Sequence, residues 1–378
     1  MVWVERGDMA ETAGPDEGDL GDLAAAARAA LPADVWDFIQ GGSGAERTLR
    51  ANRAAYHKVA LRPRVLVDVR SVSLRTSVLG VDWAVPFGVA PMAYHRLAHP
   101  DGELASAGAA GELGAMFCAS MFASRTFAEI AGATAGPRWL QVYYLRDRDT
   151  LAGVLARAEE AGFGAIVLTV DTPHVATRPR DLGSSFTLPD DVRAVNLPRT
   201  LMGVAHTAAT GRSAIQQHSR EQYNQAITWA DLPWLRARTG LPLLLKGVLT
   251  GEDARLAAEH GVDGLIVSNH GGRQLDAAVP SLAALPEVVA AVPESMPVLV
   301  DGGVRRGSDI LAALALGARA VLIGRPVLWG LAAGGRQGTY DLLRLLRDQL
   351  EECMVLSGRP TATAIARDAV AIEPAGWH

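Results

Sequence analysis

Cysteine and long apolar segments are both scarce in this sequence. Only two of the 378 residues are cysteines, Cys118 and Cys353, which is too few for a disulfide framework and typical of a reducing cytoplasm. No apolar run approaches the roughly 20 residues of a membrane-spanning helix. The first residues lack the basic-then-apolar order of a signal peptide. We therefore expect a cytoplasmic protein with no membrane partner.

Clusters of positive charge are also missing. The chain has 36 basic and 41 acidic residues, for a net charge of −5, and no basic run that favours a nucleic-acid partner. No G-x-G-x-x-G motif occurs, which argues against a dinucleotide-binding sheet. Hydrophobic residues make up 49% of the chain, enough for a large buried core. These values indicate an ordinary globular enzyme or binding protein.

Short apolar runs of strand character recur along the chain, mostly separated by segments with helical periodicity. The predicted strands are Phe87–Met92, Ala115–Ser120, Trp139–Tyr143, Ala165–Asp171, Pro242–Lys246, Gly264–His270, Pro297–Asp301 and Ala320–Gly324. Crossover helices are predicted at Asp149–Ala161, Gly251–Glu259, Leu282–Ala291 and Gly307–Leu316. Eight strand–helix units predict an α/β fold, a (β/α)₈ TIM barrel, with a doubly wound parallel sheet as the alternative.

The segments outside this repeat predict the remaining organisation. Residues 1–19 are acidic and rich in glycine, and we expect a disordered leader there. A helical extension follows, with helical periodicity over Leu20–Gln40, and one barrel domain is expected over residues 20–378. The repeat is interrupted between the fourth and fifth strands, where residues 172–241 are expected to form an elaborated loop on the active-site face.

Polar residues stand where the apolar strands end. Side chains two residues apart on a strand point the same way, so Gln141 with Tyr143, Thr169 with Asp171, and Ser268 with His270 are expected on one rim. Three further strands end in polar residues, namely Ser120, Lys246 and Asp301. Barrel interiors are normally filled by branched apolar side chains. A satisfied internal network explains any one of these residues, but nine at one rim predict an active site.

Glycines follow the seventh and eighth strands, each with an arginine nearby. Asp301-Gly302-Gly303-Val304-Arg305 and Ile323-Gly324-Arg325 are the two stretches. At these positions of a barrel, backbone N–H groups meet a phosphate in front of a helix N-terminus. Arg305 and Arg325 are expected to neutralise it.

The stretch Ser268-Asn269-His270-Gly271-Gly272-Arg273 carries the most specific chemistry. A histidine takes up a proton near neutral pH, and an aspartate such as Asp171 stabilises the imidazolium. An arginine grips a carboxylate with two hydrogen bonds. This combination predicts proton abstraction from a substrate that carries a carboxylate. A lone histidine is more often structural, and His57, His99 and His260 are assigned that role.

These residues resemble the FMN-dependent 2-hydroxy-acid oxidase and dehydrogenase family, which includes glycolate, lactate and mandelate enzymes. The similarity extends from about Leu20 to about Ile365. It is carried by Ala90-Pro91-Met92-Ala93, Gln141-Val142-Tyr143, Leu168 to Pro173, Leu245 to Val248, Ser268 to Asp276, Asp301 to Gly307 and Gly324-Arg325-Pro326. The run from Ser268 to Asp276 is the most specific of these motifs.

The resemblance implies FMN as cofactor, no metal, and a role for each matching residue. His270 would be the base and Asp171 would support its charged form, while Arg178 and Arg273 would hold the carboxylate. Tyr143 would hydrogen-bond the substrate, and Lys246 would lie beside the flavin pyrimidine edge. The residues implied to contact the isoalloxazine are Ser120, Gln141, Thr169 and, through their backbone, Pro91, Met92 and Ala93. Ser268 would lie beside the flavin. Those implied to meet the ribityl chain and phosphate are Asp301, Gly302, Gly303, Arg305, Gly324 and Arg325.

Three positions depart from the glycolate-oxidase pattern and make the substrate pocket more apolar. Phe38 replaces a tyrosine, Phe122 a common tryptophan, and Met92 a small polar residue. Together with Gly41-Gly42-Ser43-Gly44 and Ala93-Tyr94, Phe38 is similar to bacterial hydroxymandelate oxidases. The resemblance therefore implies oxidation of an (S)-2-hydroxy acid that is aryl or bulky, such as mandelate or 4-hydroxymandelate, to the 2-keto acid.

The electron acceptor is predicted from the loop after the fourth strand. Family members that reduce a membrane quinone carry an apolar segment there, whereas residues 190–225 are polar. We expect O₂ as acceptor, with H₂O₂ as product, and a soluble dehydrogenase using another acceptor is the alternative. A homotetramer is a family expectation.

The residues leave open three alternative hypotheses about the function of the protein. One is an aldolase barrel with Lys246 as Schiff-base lysine. The others are an FMN-dependent isomerase of isoprenoid diphosphates and a flavin-binding protein without turnover.

Overall fold

Eight parallel strands form a closed barrel. The computed structural model describes residues 20–184, 186–198, 201 and 214–372, so the predicted leader, residues 1–19, lies outside the described residues. Four short strands lie outside the barrel: β1 (Val59–Leu61), β2 (Thr76–Val78) and β3 (Val81–Trp83) precede it, and β12 (Val370–Ile372) follows it. The barrel strands are β4 (Phe87–Val89), β5 (Met116–Ser120), β6 (Arg138–Val142), β7 (Ile166–Thr169), β8 (Leu243–Val248), β9 (Gly264–Val267), β10 (Val298–Asp301) and β11 (Ala320–Ile323).

The order of the strands confirms the predicted TIM barrel. Each strand from β4 to β11 pairs in parallel with the next, and β11 closes the ring on β4. The helices on this scaffold are α1 (Gly21–Ala30), α2 (Ala33–Gln40), α3 (Arg47–His57), α4 (Glu103–Leu113), α5 (Phe127–Ala133), α6 (Arg148–Glu160), α7 (Pro179–Ser184), α8 (Ala214–Gln222), α9 (Leu232–Arg236), α10 (Gly251–Glu259), α11 (Ser281–Ala290), α12 (Gly307–Ala315) and α13 (Arg325–Leu356). Within the described residues, none of the helices combines the length and apolar character needed to cross a bilayer.

The barrel interior changes from apolar to polar along several of the strands. In β5 the inward series runs from Met116 through Cys118 to Ser120, and β7 has Val167 followed by Thr169. Cys118 belongs to the buried apolar cluster inside the barrel, where burial raises the pKa of its thiol. The β2–β3 hairpin adds Trp83, whose ring meets Trp139 edge-on at 5.3 Å between centroids. One end of the barrel is therefore packed, and the polar residues collect at the other.

Five barrel strands end earlier than predicted, and in three of them the residue left outside the strand is a predicted catalytic residue. Tyr143 follows β6, Asp171 follows β7, and His270 lies in a short 3₁₀ turn, His270–Gly272, rather than in β9. These residues are in loops, which allows their side chains to depart from the alternation of the strands.

The N-terminal extension is two helices rather than the one suggested by the periodicity over Leu20–Gln40. Leu31 and Pro32 adopt extended ψ angles of 146° and 145° between α1 and α2. A proline disfavours the helical conformation of the residue before it, which explains the break.

Candidate active site

A deep cavity opens at the carboxyl ends of the barrel strands. It encloses about 1420 Å³, counting its open mouth. The predicted residues that line it are Phe38, Pro91, Met92, Ala93, Ser120, Phe122, Gln141, Tyr143, Thr169, Arg178, Lys246, His270, Arg273, Asp301, Gly302, Gly303, Arg305, Gly324 and Arg325.

Two predicted residues lie behind the cavity wall. Asp171 contacts His270, and Ser268 is fully buried with its hydroxyl accepting hydrogen bonds from Lys246 Nζ at 2.7 Å and His270 N at 3.0 Å. The Ser268 hydroxyl thus points to these two groups, and its place beside the flavin stays a prediction.

His270 occupies an unusual backbone conformation. Its φ is +59°, followed by Gly271 at +62° and Gly272 at +75°. A non-glycine residue in this region costs of order 1–3 kcal/mol and is often found at functional sites. Gly272 is required by close packing, since a Cβ there would lie 2.5 Å from Leu49 N. The turn therefore projects the imidazole into the cavity at the expense of backbone strain.

The His270 ring is held by a carboxylate. Its Nδ1 lies 3.0 Å from Asp171 Oδ1, and Thr172 Oγ1 donates to the same oxygen at 2.8 Å. Burial lowers the pKa of His270, Asp171 raises it and Lys246 lowers it, with a net decrease from 6.5. The imidazole is therefore neutral near pH 7, with Nδ1 directed to Asp171. This is the state required of a general base.

A pH profile tests this coupling. Because a base must be neutral, we expect kcat/KM to rise with pH through a pKa below the ordinary 6.5 of histidine. Asp171 raises that pKa, so Asp171→Asn should move the acid limb to lower pH while lowering the plateau by roughly 10²-fold. Measuring kcat/KM between pH 4 and 9 for both proteins decides the point. An acid limb at the same pH in the variant would show that Asp171 does not act on His270.

Two buried guanidinium groups face the same cavity. Arg273 Nη1 donates to the carbonyls of Gly41 at 2.7 Å and Ile39 at 3.2 Å, and Arg178 Nη1 lies 3.7 Å from Asp181 Oδ2. Burial and then the neighbouring Arg178 and Arg325 lower the pKa of Arg273 far below its usual value. Arg178 Nε is buried with no hydrogen-bond partner in the part of the chain that the structure describes. An anion in the cavity would reduce the repulsion between the guanidinium groups and would accept a hydrogen bond from Arg178 Nε.

Lys246 is held by a buried ion pair on β8 and β10. Its Nζ lies 3.1 Å from Asp301 Oδ2, and both side chains are less than a tenth exposed. Burial lowers the pKa of Lys246, but Asp301 and Asp171 raise it more, and the net change is upward. A Schiff-base lysine needs a lowered pKa. The aldolase alternative is therefore not supported by the environment of this residue.

Polar groups in the cavity fit the FMN implied by the resemblance. Asp301 Oδ1 is buried and has no partner among the described residues. Ser120 Oγ donates to Gln141 Oε1 at 3.0 Å, and Gln141 Nε2 donates to Thr169 Oγ1 at 2.9 Å, in a connected wall across β5, β6 and β7. Such a wall suits the polar edge of a flavin ring, and Asp301 suits a ribityl hydroxyl.

Of the glycines after β10 and β11, Gly324 leaves room for a phosphate, whereas Gly303 is packed against α3. Gly303 has a φ of +89°, and a Cβ there would lie 2.5 Å from Asn52 O. At Gly324 the nearest atom to a Cβ is Met92 Sδ, 3.8 Å away, so that position faces open space. The backbone N–H groups of Arg305 and Arg306 already donate to Asp309 Oδ2 at 2.8 and 3.1 Å.

The arginine side chains near these glycines have other contacts. Arg305 lies over the Trp329 ring with Cζ 4.7 Å from its centroid. Arg325 donates to Ile39 O, Gly41 O and Gly271 O at 2.9–3.1 Å. Arg325 would have to give up part of this set of bonds in order to bind phosphate.

An aromatic wall completes the cavity, and most of its residues were not predicted from the sequence. Tyr143 stacks on Tyr223 with ring centroids 4.5 Å apart and planes at 15°, and Phe122 lies 5.8 Å from Tyr143. Tyr94, Val175, Ile215, His218 and Tyr223 line the cavity without having been predicted. No local signal distinguishes them, because four of the five belong to the long loop after β7, whose path is not set by strand alternation.

Phe38 closes the mouth of the cavity from α2. Its ring stacks on Phe186 with centroids 4.5 Å apart, and Arg273 Cζ lies 5.3 Å from its centroid. The side chain that replaces a tyrosine in glycolate oxidases thus packs between an aromatic ring and a guanidinium. This arrangement adds apolar surface beside Arg273.

A barrel cavity with a neutral histidine, paired arginines and a polar cradle defines a flavoenzyme of the (β/α)₈ class. The family model described as FMN-dependent dehydrogenase matches residues 27–372. The chain therefore belongs to the FMN-dependent dehydrogenase family. The predicted family, cofactor and class of enzyme are confirmed.

The chain is also similar to individual proteins of known activity. The chain is 46% identical over 348 residues to 4-hydroxymandelate oxidase of Amycolatopsis orientalis, covering 92% of this chain and 96% of that one. It is also 46% identical over 328 residues to L-lactate oxidase of Nostoc sp., covering 86% and 90%. A crystal structure of mandelate oxidase with (S)-4-hydroxymandelic acid superposes with a TM-score of 0.89 at 45% identity, covering 93% of this chain and 98% of that one.

Proposed function

We propose that this protein oxidises an aryl (S)-2-hydroxy acid to the 2-keto acid, with O₂ reduced to H₂O₂. The observation that carries the proposal is the convergence of His270, Arg178 and Arg273 on one cavity with an aromatic wall. The guanidinium groups suit a carboxylate, and the aromatic side chains suit an aryl ring. Relatives that act on mandelates and on lactate belong to the same family.

The chain's own residues bind the substrate and move its proton. Arg178 and Arg273 hold the carboxylate, and Tyr143 donates a hydrogen bond, since burial raises the pKa of its phenol and keeps it protonated. His270 removes a proton from the substrate, and Asp171 stabilises the imidazolium. FMN, when bound, supplies the two-electron redox chemistry. Lys246 would place positive charge beside the flavin, and the glycines and arginines after β10 and β11 would hold its phosphate.

The aryl specificity is proposed from the side chains that face the substrate. Phe38, Phe122 and Met92 all line the cavity, and Tyr223 adds a ring that stacks on Tyr143. A small acid such as glycolate would leave this apolar surface in contact with water, whereas an aryl ring covers it. Aryl acids are therefore the better substrates.

Anaerobic mixing tests the reaction and the substrate class together. The purified FMN-bound protein should lose its visible absorption with (S)-mandelate faster than with glycolate, and hardly at all with (R)-mandelate. Admission of O₂ should restore the colour and yield one H₂O₂ per keto acid. Glycolate turnover equal to that of mandelate would refute the aryl specificity, and a persistent yellow colour with every 2-hydroxy acid would refute the reaction.

Restoring the missing hydroxyl should improve the binding of a small acid. Phe38→Tyr adds a hydrogen-bond donor beside Arg273, and we expect the KM for glycolate to fall about fivefold, corresponding to about 1 kcal/mol. The KM for mandelate should change less, because its ring already fills the cavity. Steady-state kinetics with both acids measure the effect. An unchanged KM ratio would show that residue 38 does not face the carboxylate.

The acceptor, the assembly and the compartment are part of the same proposal. We propose O₂ as acceptor, a homotetramer in solution and a cytoplasmic location. Both Cys118 and Cys353 are free thiols, which suits a reducing compartment. Mass photometry at nanomolar to micromolar concentration tests the tetramer, and a stopped-flow comparison of O₂ with soluble dyes tests the acceptor.

A further inference from the structure

His218 lies in the aromatic wall of the cavity and has no part in the proton transfer described above. It is on α8, is 3% exposed, and lines the cavity. Its ring meets Phe122 edge-on, with centroids 5.7 Å apart and planes at 82°. Phe122 in turn neighbours Tyr143 and Tyr223. The imidazole is therefore a polar group placed among the rings that surround the proposed aryl substrate.

The groups around His218 differ from the charged residues around His270. Its pKa responds to burial, to Glu221 and to the Leu201 backbone. The pKa of His270, by contrast, responds to Asp171, Lys246 and Arg178. A substrate whose carboxylate lies on Arg178 and Arg273 would direct its ring into the aromatic wall, so that the far edge of the ring is the part nearest to His218.

The His218 ring offers an unused hydrogen-bond acceptor. Burial lowers its pKa to about 4, so the ring is neutral at pH 7. Nδ1 is buried and has no hydrogen-bond partner among the described residues, which leaves Nε2 for the bond with the Leu201 backbone. A backbone bond that raises the pKa is one in which the ring N–H donates to a carbonyl. Nδ1 then carries the lone pair.

A hydrogen-bond acceptor that is buried without a partner has lost its bond to water, which costs about 1–3 kcal/mol of free energy. A hydroxyl group delivered by a ligand removes that cost, while a C–H at the same place does not. A site with an unmet acceptor therefore discriminates in favour of a ligand with a hydroxyl at that position.

We propose that His218 is a specificity-determining residue that accepts a hydrogen bond from a phenolic hydroxyl on the substrate ring. The preferred substrates are then aryl 2-hydroxy acids hydroxylated on the ring edge opposite the carboxylate-bearing carbon. This inference rests on the proposed function, because it assumes an aryl ring in the aromatic wall.

The test compares substrates that differ in one hydroxyl. The ratio of kcat/KM for 4-hydroxymandelate to that for mandelate is measured in the FMN-bound wild type and in three variants. We expect a ratio of about ten in the wild type, and a loss of about tenfold from the ratio in His218→Phe. The ratio is the readout, because a loss of folding or of cofactor lowers both rates alike.

Two conservative variants separate recognition from structure. The amide of asparagine lies near the position of Nδ1, and that of glutamine near Nε2. His218→Asn should retain several-fold preference for the hydroxylated substrate, and His218→Gln should lose it. An unchanged ratio in His218→Phe, or an equal ratio in the asparagine and glutamine variants, overturns the proposal.

A binding measurement tests the role of His218 independently of the proposed reaction. The dissociation constants of 4-hydroxyphenylglyoxylate and phenylglyoxylate are measured through the change that they cause in the flavin absorption. The hydroxylated keto acid should bind about tenfold more tightly to the wild type and equally to His218→Phe. If no aryl acid is oxidised, the proposed function fails, and the two dissociation constants still decide the role of His218.

Discussion

Replacing His270 by glutamine should lower the rate constant of anaerobic flavin reduction by two to four orders of magnitude, the usual range for loss of a general base. The neutral imidazole of His270 lines the cavity, and its Nδ1 is already bonded to Asp171 at 3.0 Å. Glutamine has a similar reach but does not take up a proton near pH 7. The loss should therefore fall on the chemical step rather than on substrate binding.

Stopped-flow mixing with (S)-mandelate separates these two steps. We expect the limiting rate constant to fall and the apparent dissociation constant of the substrate to change by less than about fivefold. His260 is exposed, with its ring centroid 5.4 Å from that of Trp229, and provides the matched control. In His260→Gln the flavin should be reduced at the wild-type rate. A His270→Gln protein that binds FMN and reacts within tenfold of the wild type would rule out His270 as the base.

Lys246→Met should produce the largest loss of stability among single substitutions at the site. It removes the partner of Asp301, whose carboxylate stays buried with Oδ1 already lacking a hydrogen bond among the described residues. Breaking a buried ion pair on one side costs about 3–5 kcal/mol, because an uncompensated charge remains. Ser268 loses its bond with Nζ as well, and the turn that begins at His270 loses part of its support.

Urea denaturation of the FMN-free protein measures this effect without the cofactor. The double variant Lys246→Met/Asp301→Asn should be more stable than Lys246→Met alone, because the remaining group is then neutral. Lys58 is exposed on the surface, and Lys58→Met is the matched control, with an expected change within about 0.5 kcal/mol. Equal stability of the wild type and Lys246→Met would show that the pair does not stabilise the fold.

The alternation of strands explains why so much of the site was predictable. Inward residues of a strand recur at every second position, so Ser120, Gln141, Thr169 and Lys246 were expected on one rim, and all four line the cavity. The positions of the site residues depart from the prediction where the regular strands end. Ser268 and Asp171 lie behind the wall, because the strands finish at Val267 and Thr169 and the backbone after them turns.

The cavity residues of the long loop between β7 and β8 could not be predicted in this way. His218 and Tyr223 come from the segment between β7 and β8, and they enter the cavity through contacts with Phe122 and Tyr143 from other parts of the chain. Their spacing in sequence carries no periodic signal. Only the packing of the loop over the barrel mouth selects them from the many polar and aromatic residues of that segment.

The amino-acid sequence by itself determined the eight-stranded barrel and the chemistry at its rim, because periods of two and of about 3.6 residues are local properties that a chain carries wherever it folds. The tertiary structure alone decided which loop side chains meet the substrate, how α2 supplies carbonyls to Arg273 and Arg325, and that Asp171 supports His270 from behind the wall. Those relations join residues far apart in the chain, and they arise from the closure of the barrel and the packing of the loops and helices against its mouth.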